Sequence, residues 1–405
     1  KRLAAIDSLL AENRRGSYTS RRANFLHELR ELAADPALFS AAKDYIQWRV
    51  EHDAVLPNPP PAERPWDMEE QDFNKLRQLY DFQSKQRLTF FKEQLAKADP
   101  PMKPYWLVRR GSFLFSTGSH ELAETDFNPV IEEFPESPRA EVAALMLARC
   151  KIEKSRVIRR AEDANERGEE IRGLLDEADT RLTEFIDTHP KGRFTPDAIG
   201  WRGAVAFDNG QLGSALKFQL DRLDMQPTRE ITRTVLRECD MIFEKLLQTR
   251  EAGEADVWLD TEQMFDPAAV ARHPVVARLF VQHCIDPAAH ISLPMWWDDS
   301  YSGGRGTIDF LKRRILKPSP FVKLALAELG KELIKAKSVP DATTLTLLAW
   351  SATEEGEHEQ ALALLDQIPA PDLSDEALLA KGVVLQRVGR HADAYGLKPT
   401  TVGEF

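Results

Sequence analysis

PYWLVRRGSFLFSTGSHELAETDFNPVIEEFP, Pro104 to Pro135, sets the reading of the whole chain. It places small residues at Gly111 and Ala123, a glycine at 118, an aromatic at Phe127 and a proline at 135. Two antiparallel helices approach closely only where the facing side chains are small, so Gly111 and Ala123 are expected at the crossing of a helical hairpin. Gly118 can adopt the positive φ needed to leave the first helix. Phe127 is expected to fill the groove made by the next hairpin. Pro135 stops the second helix, because it has no N–H to donate.

The pattern returns. Arg202, Gly203, Gly210, Ala215 and Pro227 repeat Arg110, Gly111, Gly118, Ala123 and Pro135 at a constant offset of 92 residues. Ala349, Gly356 and Ala361 are followed 33 residues later by Gly382, Gly389 and Ala394. One small-residue hairpin carries little weight. Its repetition at fixed internal spacing predicts an array of hairpins with a period near 34 residues. The expected fold is all-α, a right-handed solenoid of stacked antiparallel helical hairpins.

Composition narrows the classes. The chain has 405 residues, long for one core and ordinary for a solenoid. A net charge of −11 argues against a general nucleic-acid binder, which needs a basic stripe to displace counterions. No apolar run approaches the ~18 residues of a membrane span. Cys150, Cys239 and Cys284 are odd in number and far apart, give no disulfide framework, and read as buried small hydrophobes in helices.

Five segments follow along the chain. Residues 1–55 read as helices, with stripes at Leu3, Ile6, Leu9 and Leu10, at Phe25, Leu26, Leu29 and Leu32, and at Tyr45, Ile46 and Val50. LPNPPPAERPW, residues 56–66, is a stiff proline-rich linker. Residues 67–227 hold a long helix, Asp67 to Ala98 with Asp67 as its cap, and then hairpins. The face of that helix is Phe73, Leu76, Tyr80, Leu88, Phe91 and Leu95. The second hairpin is extended by the charged stretch KSRVIRRAEDANERGEE, and in the third Trp201 and Phe207 are expected to face inward. Residues 228–340 are helical but irregular, and residues 341–405 carry the last two hairpins, the final one cut short by Gly396 and Pro399.

These hairpins resemble tetratricopeptide repeats. DFNPVIEEFPESPRAEVAALMLARC, Asp126 to Cys150, looks like a bacterial subgroup in which a helix ends in F/Y-P-x-S-P and the next repeat opens A-x-x-A; Arg181 to Trp201 echoes it. Similar repeats occur in envelope proteins of the outer-membrane assembly lipoprotein and Tol–Pal coordinator type. The resemblance implies a protein-binding adaptor, periplasmic or outer-membrane-associated, with a lipid anchor outside this chain or none; a cytoplasmic place is the alternative. It covers roughly residues 100–227 and 341–395.

No phosphate-cradling glycine loop, nucleophile elbow or H-E-x-x-H occurs, so neither enzyme chemistry nor a cofactor is expected. His283, Cys284, Asp286 and His290 match no standard zinc spacing, and no metal site is expected from them. The one unusual composition is ISLPMWWDDSYSGGRGT, residues 291–307. Trp296, Trp297, Asp298, Asp299, Tyr301 and Arg305 make it the candidate ligand or partner loop. Two readings compete: a glycan-binding protein, or helical accessory region of a cell-wall-active enzyme, acting through these residues, and a protein scaffold in which the tryptophans plug the core. The choice is measurable. As core plugs, Trp296→Ala or Trp297→Ala lowers stability by about 3–5 kcal/mol; as recognition residues, the variants melt like the parent and lose glycan or partner binding.

Overall fold

The computed structural model describes residues 20–52, 69–161, 163–251, 265–285, 320–337 and 340–397. Every described element is helical, and no strand occurs among them. Packing divides the chain into two compact units, Lys1–Thr195 and Pro196–Phe405.

The first unit begins with α1 (Ser20–Ala34), α2 (Pro36–Ala41) and α3 (Lys43–His52), then the long α4 (Glu70–Lys97). Two hairpins follow, α5 (Lys103–Ser116) with α6 (His120–Glu133), and α7 (Pro138–Arg159) with α8 (Gly168–Thr188). Leu32, Tyr45, Trp48, Phe91, Tyr105, Trp106 and Phe113 form one aromatic core across α1, α3, α4 and α5. Tyr45 lies edge-on to Trp106 at 4.8 Å, and Trp48 to Phe91 at 5.2 Å. The helices on either side of the proline-rich stretch therefore share a core.

The second unit contains α9 (Thr195–Asp208), α10 (Leu212–Met225), α11 (Arg229–Glu251), α12 (Pro267–Ala271), α13 (Pro274–Ile285), α14 (Pro320–Ala336), α15 (Ala342–Glu354), α16 (His358–Leu365), α17 (Asp375–Arg387) and α18 (His391–Gly396). One continuous apolar cluster runs from Ala206 to Val384. Val235, Ile242, Phe243 and Leu246 of α11 and Val276, Leu279 and Phe280 of α13 are buried in it, as their spacing predicts.

Four of the described hairpin turns follow one plan, and the longer α7–α8 connection does not. Gly118, Gly210, Gly356 and Gly389 are the described glycines with positive φ, at 79°, 76°, 84° and 77°. Each glycine N–H donates to the carbonyl three residues back, and the next N–H to the carbonyl five residues before itself. The second bond is Ser119 to Leu114 at 2.9 Å, Gln211 to Ala206 at 2.8 Å, Glu357 to Ala352 at 2.9 Å and Arg390 to Leu385 at 2.8 Å. These are the paired bonds of a Schellman turn, which satisfies the last carbonyls of the first helix while reversing the chain. Prolines close the second helices. α6, α8 and α10 end two residues before Pro135, Pro190 and Pro227, because the residue preceding a proline is pushed out of helical geometry.

The close approach falls at the expected glycines, with Gly203 against the Ala215 carbonyl at 3.4 Å, and a further side chain covers each of Gly111 and Gly203. A Cβ at Gly111 would lie 2.7 Å from Cε1 of Phe127, so that ring rests on Gly111 inside its own hairpin as well as joining the cluster with Ala143 and Leu147 of α7. In the third hairpin Gln219 takes the same place over Gly203, at 2.6 Å from its would-be Cβ, and donates to the Gly200 carbonyl at 3.3 Å. Gln360 repeats this on α14, lying over Gly330 and donating to the Ala327 carbonyl at 2.8 Å. The neighbouring position also repeats. Arg110 makes a two-pronged ion pair with the buried Asp126, and Arg202, at the matching place, lies 4.6 Å over the Phe218 ring.

Several sequence expectations are corrected. The long helix starts at Glu70, with Glu69 at its cap and no capping side chain; Asp67 lies outside the described residues, as do the stripe at Leu3 to Leu10 and the linker. Leu76 is exposed, whereas Phe73 and Phe91 are buried, because the apolar residues of α4 wrap round more than one face. Val50 is exposed and Trp48 takes the buried place. Trp201 and Phe207 are only half-buried, with Val205 and Ala206 filling the core between them. The cysteines are free and buried, as expected, and burial pushes the Cys150 thiol up to about 12. The last hairpin is truncated, α18 having six residues.

A Cβ at Gly203 would meet the Gln219 amide at 2.6 Å and touch the Ala215 carbonyl at 3.4 Å, so a larger side chain must push out the amide and has the backbone directly behind it. Gly203→Leu should lower stability by about 1–3 kcal/mol or more through overpacking, read as a drop in the urea midpoint. An unchanged midpoint would refute this packing.

Candidate functional site

Trp296, Trp297, Asp298, Asp299, Tyr301 and Arg305 lie outside the described residues. Asp286 and His290 do too. Of the metal-like cluster, His283 and Cys284 sit at the end of α13, where His283 Nε2 lies 2.7 Å from Asp240 Oδ1 of α11 and Cys284 is buried. The imidazole is thus engaged by a neighbouring helix. Among the described residues no group of three His, Cys, Asp or Glu side chains is placed to hold a metal.

The densest buried chemistry lies in the first unit, where α1 meets α3, α5 and α7. Glu28 and Glu31 of α1 point one helical turn apart. The Glu28 carboxylate accepts from the Tyr45 hydroxyl at 2.7 Å and pairs with Arg49 at 3.2 Å and Arg139 at 3.3 Å. Arg139 also donates to Glu31. Its guanidinium lies 5.3 Å over the Tyr105 ring. Glu28, Arg49 and Arg139 are each about 95% removed from solvent, with 5%, 5% and 6% exposed. Charges this deep persist only when paired.

Electrostatics follow burial. Desolvation pushes the Tyr45 and Tyr105 hydroxyls well above the ordinary phenol range, so both stay protonated donors. Burial also raises the Glu31 carboxyl, with Arg139 pulling the other way. For Arg139, burial opposes the charge, and the Glu28 and Glu31 carboxylates outweigh it, holding the guanidinium pKa up. Among the described residues the Tyr105 hydroxyl and Arg139 Nε have no hydrogen-bond partner, although both atoms are buried.

A second feature lies on the surface of α4. Leu76, Leu79 and Phe82, spaced by three, are 40%, 54% and 58% exposed. Neighbours at that spacing share a helix side, so they form a short apolar stripe.

The sequence signal for the buried cluster was present and went unread. Glu28 falls three residues after Phe25 and four before Leu32, on the apolar side of α1; Arg49 falls four after Tyr45. A charge in the register of an apolar stripe marks a buried pair, but not its partner. No protein-family model matches the chain, and no curated protein does.

Removing one member of this cluster leaves the others charged and dry. Arg139→Ala should cost about 3–5 kcal/mol, measured by urea denaturation with circular dichroism, against little change for an exposed arginine.

Proposed function

We propose that the chain is a non-enzymatic scaffold for protein–protein interaction, a right-handed solenoid of stacked antiparallel hairpins resembling tetratricopeptide repeats. The observation that carries this reading is the recurrence of one turn, with the same two hydrogen bonds and the same glycine conformation, at Gly118, Gly210, Gly356 and Gly389. A repeated hairpin cannot bury its apolar face alone, and stacking is how such units complete a core. The continuous cluster of the second unit supports that arrangement. The F-P-x-S-P phrase favours a place in a bacterial cell-envelope assembly, periplasmic or outer-membrane-associated. No described helix is long and apolar enough to cross a membrane.

Stacked hairpins present helices as rigid rails for a partner's peptide or helix. On this reading the Leu76–Leu79–Phe82 stripe is a contact surface, since exposed apolar side chains on a rigid helix lose little entropy on binding. Affinity capture from native extract, with the parent and with Leu79→Glu and Phe82→Glu, tests it. One protein should be retained by the parent and lost from both variants, whose melting temperatures should match the parent's. Equal capture by all three removes the stripe as the surface, and absence of any specific protein removes the scaffold reading.

A further inference from the structure

Three of the four described turn glycines are followed two residues later by histidine: Gly118 by His120, Gly356 by His358 and Gly389 by His391. Each histidine is the first residue of the helix after the turn, in α6, α16 and α18, and Leu212 holds that place in α10. The cap residues Ser119, Glu357 and Arg390 put no side-chain acceptor on the free N–H groups there. The start of a helix carries partial positive charge, so an imidazole at this position is favoured neutral and disfavoured as a cation. The three differ in burial. His391 is exposed and His358 half-buried, whereas His120 is 9% exposed.

His120 stands where α6 meets α5 and α7. From α5 the Phe115 ring meets it edge-on at 5.1 Å, and Arg149 of α7 lies 4.8 Å over that same ring. The charged groups facing the imidazole are Glu124 of α6 and Glu153 and Lys154 of α7. Both carboxylates are already engaged by cations: Glu124 by Lys151 at 3.4 Å and Lys154 at 3.8 Å, and Glu153 by Arg156 at 3.0 Å. An imidazolium would therefore enter a buried site whose nearby acids are paired, next to Lys154 and at the positive end of α6. Burial pushes the His120 pKa below the ordinary histidine range, with Glu153 and Glu124 pulling the other way.

We propose that His120 is an acid-sensitive latch on the α5–α6 hairpin: neutral, it packs the start of α6 against Phe115 and α7, and protonated, it loosens α6 from α7. A histidine held below its unfolded value takes up its proton more readily once the helix has opened. Its contribution to stability is complete above about pH 6.5 and is lost as pH falls through the folded-state value. Asp126, on the same helix, works in the opposite direction, since burial raises its carboxyl and acid favours the packed form. The latch does not depend on which partner, if any, the hairpins bind.

Hydrogen exchange of the full chain between about pH 8 and about pH 5, corrected for the intrinsic rate at each pH, tests it. Protection in His120–Glu133 of the parent should fall with acid more steeply than in His120→Gln, which keeps a planar polar side chain and cannot be protonated. The difference should reach about tenfold for each pH unit by which the folded-state value lies below the unfolded one. Comparison with the variant removes the contribution of Asp126, which both chains share. His391→Gln, exposed at the same place in its hairpin, should follow the parent. Equal pH profiles for the parent and His120→Gln overturn the proposal. Should that variant not fold, NMR titration of ring-labelled histidine in the parent decides, with His120 identified by its contact to Phe115. A midpoint below about 6.5, with protection of α6 falling over the same range, is the expected result. A midpoint at or above that value, or protection unchanged across it, overturns the proposal.

Discussion

A helix can reverse direction within three residues only if one of them leaves right-handed geometry, and here that residue is glycine at φ near +80°. The reversal fixes how far the second helix stands from the first. At Gly111 and Gly203 the separation is set by a single missing side chain, into which Phe127 or Gln219 settles. Turn and contact are therefore one constraint. With a larger residue at 111 or 203, the ring of Phe127 or the amide of Gln219 would have to move out of its place over the glycine.

Within that repeated frame the chemistry varies. Arg110 pairs with a buried carboxylate where Arg202 lies on a phenyl ring. Phe127 covers its glycine with carbon, and Gln219 covers its own with an amide that also ties back to a helix carbonyl. Aromatic burial and a buried polar bond thus serve one geometric purpose, and the difference is in specificity. An amide over Gly203 fixes the rotation of the two helices through a directional bond, while a ring over Gly111 fixes only their distance.

The buried charges of the first unit are of another kind. Ion pairs out of contact with water add little net stability over apolar packing, but they penalise any arrangement in which a partner is missing. Glu28 and Arg139 lie 111 positions apart in sequence. Their pairing therefore selects one docking of α1 on the hairpins over all slipped alternatives.

The sequence alone determined the local backbone. Four turn glycines, the prolines that end α6, α8 and α10, the shortened last hairpin and the buried faces of α11 and α13 were legible, since each is encoded by residues within one or two turns of one another. Tertiary structure alone decided what meets across long separations: that Gln219 rather than an apolar residue covers Gly203, that Trp201 and Phe207 stay half-exposed, and that Glu28 and Glu31 find Arg139. Periodicity tells which face of a helix is buried. It carries no record of which distant face comes to lie against it, and a buried charge is defined by that distant partner.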